Sequence, residues 1–127
     1  MRIFKTKPFD RYARRAVIAD AALCQAVREA SQGNIDANLG GGVIKQRVAR
    51  PEEGKSGGFR TIILFKIGAL AFFVYGFAKN ERQNIGADEL AGFKKLASVM
   101  LAYDEDILAR ALTEGALIEV ICDEEAI

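Results

Sequence analysis

The residues best equipped for chemistry in this chain are basic, and they are spaced as strand residues. Lys45 and Arg47 stand two apart in VIKQRVAR, so on a strand both side chains leave the same face and act as a pair. Arg50 closes that run, Lys55 lies in the glycine-rich GKSGG stretch, Arg60 opens the next apolar run, and Lys79 and Arg82 follow the last one. In an antiparallel meander alternate strand ends lie together, which would gather these positions around one shallow groove. Cations lining such a groove can each pair with a phosphate of an RNA backbone, and arginine can also stack on a base or read its edge. The competing reading makes them solvated surface residues of a sheet, each ion pair worth little.

The chain holds no histidine. That removes the commonest general base, the Ser–His and Cys–His nucleophile systems, and histidine metal sites. Carboxylates gather late, as Asp104, Glu105, Asp106 and then Asp123, Glu124, Glu125, and read as solvated helix and tail positions, not a metal or glycosidase pair. Gly40 to Gly42 precede a strand, so they form a turn and not a phosphate or dinucleotide loop. Cys24 and Cys122 are far apart with no histidine to join them, and are expected to be buried free thiols with neither a disulfide nor a zinc site. No metal and no cofactor is expected.

The net charge of +1 conceals an asymmetry. Residues 1–42 carry seven Lys/Arg against four Asp/Glu, residues 43–82 eight against three, and residues 83–127 three against ten. A basic middle beside an acidic end points to a localised anion-binding surface, not general affinity for polyanions. Half of the 127 residues are hydrophobic, so one domain spanning 1–127 with its own core is expected. The longest apolar stretch, Ala69 to Ala78, is interrupted by Gly76 and too short to cross a bilayer. The first ten residues contain no continuous apolar region of the secretory kind. A cytoplasmic protein without a membrane span is expected.

The elements that must position the basic residues follow from periodicity. Met1 to Lys5 alternates as a short strand, and Pro8 suits the first turn of a helix in which Phe9, Tyr12, Ala13, Ala16 and Val17 face inward. Asp20 is placed to cap a second helix, striped by Leu23, Ala26, Val27 and Ala30 and ended by Gly33. Residues 34–42, NIDANLGGG, read as loop. VIKQRVAR, GFRTIILFK and ALAFFVYGFAK are three consecutive strands of an antiparallel meander, separated by PEEGKSGG and by a tight hairpin at Ile67-Gly68. Leu90, Phe93, Ala97, Met100 and Leu101 mark the longest helix, and Asp104 caps a shorter one that stops at Gly115. LIEVI then adds a strand or simply docks. The order β-α-α-β-β-β-α-α describes an α+β domain.

Across GGGVIKQRVARPEEGKSGGFRTIILFK (40–66) and AFFVYGFAKNERQNI (71–85), followed by the DELAGFKKLA helix, the sequence resembles the RelE/ParE superfamily of toxins, in its HigB-like branch. The paired helices at the start and LARALTEGALIEV near the end also fit, so the likeness spans nearly the whole chain. It implies a RelE-like fold, with two N-terminal helices packed on a curved antiparallel sheet and C-terminal helices beyond it. It implies a toxin of a type II toxin–antitoxin system whose cognate antitoxin is commonly a helix-turn-helix DNA-binding protein. The implied activity is that of a metal-independent endoribonuclease that cuts mRNA in the ribosomal A site and inhibits translation.

In such a cut the 2′-hydroxyl attacks the adjacent phosphorus, which requires a proton acceptor, stabilisation of a charged phosphorane and help for the leaving 5′-oxygen. By resemblance, Arg60 matches a phosphate-stabilising arginine, and Lys45 with Arg47 match paired basic strand residues that include a base. Lys55, Lys79 and Arg50 fall at RNA-binding positions. The family carries an arginine where this chain has Asn80 and a C-terminal tyrosine where it has Gly86. Arg82 or Lys79 can stand in for the arginine; nothing obvious stands in for the tyrosine. Catalytic roles are therefore expected at Lys45, Arg47, Arg60 and Arg82. Two other readings compete: a ParE-like toxin that inhibits DNA gyrase without cutting RNA, and a binder whose basic face serves only the antitoxin.

Overall fold

The structure, a computed structural model, describes residues 1–50 and 54–123, apart from the side chains of 50 and 54–57. Its elements run β1 (Arg2–Thr6), α1 (Lys7–Ala16), α2 (Asp20–Ser31), β2 (Ala37–Gly40), β3 (Val43–Arg50), β4 (Gly54–Lys66), β5 (Leu70–Ala78), α3 (Ala87–Met100), α4 (Glu105–Glu114) and β6 (Leu117–Val120). They form an α+β fold. Among the described residues no helix is long and apolar enough to cross a membrane.

The expected meander is present as β3, β4 and β5, but the sheet around it is larger and mixed. Its order is β2-β3-β4-β5-β1-β6, with β1 parallel to β5 and the remaining pairs antiparallel. A wholly antiparallel sheet was the expectation. The parallel pair arises because the chain leaves β1 through α1 and α2 before returning as the meander, and only a crossover of that length permits parallel neighbours. Residues 37–40, read as loop, form the edge strand β2, and LIEVI supplies β6 beside β1. β4 also begins earlier than expected, with 54–57 already strand in backbone; 51–53 lie outside the described residues.

Alternating side chains fill two cores, one on each face of the sheet. Ile3, Ile44, Val48, Ile63 and Phe73 pack beneath α1 and α2 with Phe9, Leu23 and Val27. Phe4, Val43, Ile62, Leu64 and Phe72 pack on the opposite face with Ala97 and Met100 of α3 and Leu108 of α4. Phe4, Phe72 and Phe73 are fully buried, each contributing roughly 1.5–3 kcal/mol of apolar transfer free energy.

Local chemistry sets the helix ends. The Thr6 hydroxyl accepts from the Phe9 N–H at 3.4 Å, and Pro8 occupies the first turn of α1. Asp104 caps α4 by accepting from the Ile107 N–H at 2.9 Å, and Gly115 ends that helix in the left-handed region at φ 79. Asp20 does not cap α2. Ala19 holds that position without a side-chain bond, and Asp20 instead accepts a hydrogen bond from Lys5 Nζ at 3.0 Å. Buried Gln46 ties the end of α2 to β3, donating to the Ala26 and Asn34 carbonyls and accepting from the Asp36 N–H.

The cysteines overturn the expectation of free thiols. Cys24 on α2 and Cys122 just beyond β6 form a disulfide with a Cα–Cα distance of 5.9 Å, ordinary for a bridged pair. Their separation of 98 residues hides the contact in the sequence. It exists because β6 lies at the sheet edge beside β1, bringing the end of the described chain under α2.

Candidate nucleic-acid interface

Strand register aligns the cations. Arg47 on β3 lies directly opposite Arg60 on β4, and Arg60 lies opposite Phe77 on β5. Lys45, paired with Ile62, stands on the same face as Arg47 and Val43, the face covered further along by α3. The Arg82 guanidinium sits over the rings of Tyr75 and Phe77, at 5.7 and 5.8 Å from their centroids. A band Arg47, Arg60, Phe77, Arg82 thus crosses three strands and ends in the segment after β5.

A single irregularity builds the aromatic end of this band. The register shifts so that Ile62 pairs with Tyr75 while Ile63 pairs with Phe73, leaving Val74 as the extra residue of a bulge. Before it, Ala71 and Phe73 face α1 and α2; after it, Ala78 does. Parity is reversed, which is how a bulge re-aims side chains. Tyr75 consequently packs with the α3 core, touching Phe93 at 6.1 Å and Phe77 at 5.9 Å between centroids. Gly76 turns toward α1, where a Cβ would come within 2.7 Å of the Tyr12 ring.

The individual cations are held differently. Arg60 is only 8% exposed, and its Nη1 has no hydrogen-bond partner among the described residues. Burying a charged donor without a partner is costly. Arg47 is half-exposed and ion-paired through Nε to Asp36 Oδ1 at 3.0 Å, which holds its stem. Lys45 is half-buried.

Arg82 is engaged throughout. Nε donates to the Asn84 carbonyl, Nη1 to the Tyr75 hydroxyl at 3.0 Å and to Glu89 Oε2, and Nη2 to Glu89 Oε1 at 2.7 Å. Glu89 Oε1 also accepts from the Gly86 N–H at the start of α3. The hydrogen bonds Arg82 donates to Glu89 and Tyr75 raise its pKa above the ordinary value, and the bond from Arg82 lowers that of Glu89. Lys79 is exposed in the turn after β5. The side chains of Arg50 and Lys55 fall outside the described residues; their backbones lie on β3 and β4, and Lys55 is in a strand instead of the expected loop.

An open groove of about 630 Å³ adjoins the band, lined by Pro8, Tyr12 and Arg15 of α1 and by Tyr75, Phe77 and Arg82. It exists because β1 pairs with β5 only as far as Phe73, so the second half of β5 has no strand neighbour on that side. Tyr75, Asp36 and Glu89 are the members of this constellation that sequence reasoning missed. The bulge hid Tyr75, since strict alternation would send it to the other face.

A mixed sheet covered by helices on both faces, with two arginines opposed across adjacent strands, defines a small α+β protein. The chain belongs to the RelE toxin family: the model of the RelE toxin of the RelE/RelB toxin–antitoxin system matches residues 1–120. It is therefore a toxin of a toxin–antitoxin system, of a family that usually inhibits translation and pairs with an antitoxin. A search of curated proteins gave no match.

Proposed function

We propose that this toxin is an endoribonuclease of the HigB-like kind that cuts mRNA in the ribosomal A site, acting in the cytoplasm as one domain over residues 1–127. The observation that carries this reading is Arg60, buried, without a partner at Nη1 among the described residues, and facing Arg47 across the β3–β4 pair. Two guanidiniums side by side can bind a phosphate and neutralise charge developing on its oxygens, so no metal ion is needed for that task. Lys45, on the same strand face, is assigned the proton acceptor for the attacking 2′-hydroxyl. Lys79, Arg50 and Lys55 bind the flanking RNA. The partners are the mRNA, the ribosome and a cognate helix-turn-helix antitoxin.

Phosphate chemistry at a buried Arg60 opposed by the half-exposed Arg47 favours this reading over gyrase inhibition. The test is a reconstituted translation reaction containing purified toxin. Cleavage of mRNA within the A-site codon, lowered ~100-fold or more by Arg60→Ala, is expected; uncut mRNA alongside blocked DNA supercoiling by gyrase would replace this reading with the other.

A further inference from the structure

Cleavage needs a proton for the leaving 5′-oxygen as well as cations for the phosphate. Arg82, one candidate, has every nitrogen committed to Asn84, Tyr75 or Glu89. It is a donor only. The bond at 3.0 Å therefore runs from Arg82 Nη1 into the Tyr75 hydroxyl oxygen, which leaves the tyrosine's own proton free to be donated elsewhere. Among the described residues that hydroxyl makes no other hydrogen bond. The ring is set between Phe77 and Phe93, so its direction is fixed from both sides. Tyr75 pairs with Ile62, two residues along β4 from Arg60. Diagonal neighbours of this kind lie roughly 7–8 Å apart, a span that an arginine and a tyrosine side chain can close on a single phosphodiester.

We propose that Tyr75 donates the proton to the leaving 5′-oxygen, and that Arg82 is the positioning residue that aims it. This rests on the ribonuclease reading. As the 2′-oxygen bonds to phosphorus its proton passes to the Lys45 amine. The P–O5′ bond breaks, its electron pair stays on O5′, and O5′ takes the Tyr75 proton. The products are a 2′,3′-cyclic phosphate and a free 5′-hydroxyl. The phenolate then regains a proton from the Lys45 ammonium through solvent, and nothing else is consumed. A phenol gives up a proton more readily than a guanidinium, so the arginine serves best as the holder and the tyrosine as the donor.

The experiment compares two mRNAs in programmed ribosomes, one ordinary and one with sulfur replacing the 5′-bridging oxygen at the cut, since a thiolate departs without a proton. Tyr75→Phe should bind as the wild type does and cut the ordinary mRNA ~100-fold or more slowly, yet match the wild type on the sulfur-bridged mRNA. Arg82→Gln should show the same defect and the same rescue, whereas Arg60→Ala should stay slow on both. Full activity of Tyr75→Phe on ordinary mRNA, or a defect that the sulfur substrate does not relieve, overturns the assignment while leaving the ribonuclease intact. A wild type that cuts neither mRNA overturns the ribonuclease reading and this inference with it.

Discussion

Arg47 and Arg60 face each other directly across β3 and β4. Like charges at opposed positions destabilise a sheet by roughly 0.2–1 kcal/mol, and Arg60 Nη1, without a partner among the described residues, adds a desolvation cost of about 1–3 kcal/mol. The free protein thus carries a penalty that a bound phosphate would relieve. Arg60→Met is expected to raise the unfolding free energy by about 1 kcal/mol in urea denaturation while removing toxicity on expression. A variant both less stable and still toxic would show that Arg60 is a structural residue.

The Cys24–Cys122 bridge closes a loop of nearly the whole chain, for which the chain-entropy account gives about 3–5 kcal/mol. Unfolding free energies from urea denaturation with and without reductant should differ by that much. Cys24→Ser should lower the midpoint to the reduced value and make it insensitive to reductant. Identical midpoints under both conditions would mean that the bridge contributes nothing.

Lys5 Nζ is ion-paired to Asp10 at 2.9 Å and to Asp20 at 3.0 Å, and Arg14 also reaches Asp10. Burial alone would raise the Asp10 pKa, but its bonds to Lys5 and Arg14 outweigh that and hold it below the usual carboxylate range. Burial likewise opposes the Lys5 charge, and the bonds to Asp10 and Asp20 outweigh it, leaving its pKa raised. The Asp10 contribution is therefore complete above an ordinary aspartate pKa of about 4 and is lost as pH falls through the lower folded value. Lys5 adds stability that is lost only as pH rises through its raised folded pKa. Asp10→Asn should cost about 3 kcal/mol near neutrality. Its deficit against the wild type should shrink steadily in acid; a gap independent of pH would contradict the ionic origin.

Gly76 admits the Tyr12 ring into the face of β5. Gly76→Ala should destabilise by about 1–3 kcal/mol through overpacking, read as a lowered melting temperature. An unchanged melting temperature would mean that Tyr12 and Phe9 move aside freely.

The sequence disclosed what depends on local pattern. The three meander strands, the four helices, the Asp104 cap and the Gly115 stop follow from periodicity and capping chemistry over a few residues. Pairings between distant segments were not visible: β1 joins β5 across some seventy residues, and Cys24 meets Cys122 only after β6 reaches the edge of the sheet. The candidate site divides the same way. Lys45 and Arg47 share a face because they are two apart, and Arg60 joins them through hairpin register. Tyr75 required the bulge at Val74, and the engagement of Arg82 required Glu89 from a helix that begins after an irregular segment.

Cleavage of mRNA at the arginine pair is tested most directly by primer extension on mRNA recovered from a translation reaction with purified toxin. A stop within the A-site codon, present with wild type and absent with Arg60→Ala, is the predicted result; full-length mRNA from reactions whose translation the wild type has arrested would contradict it.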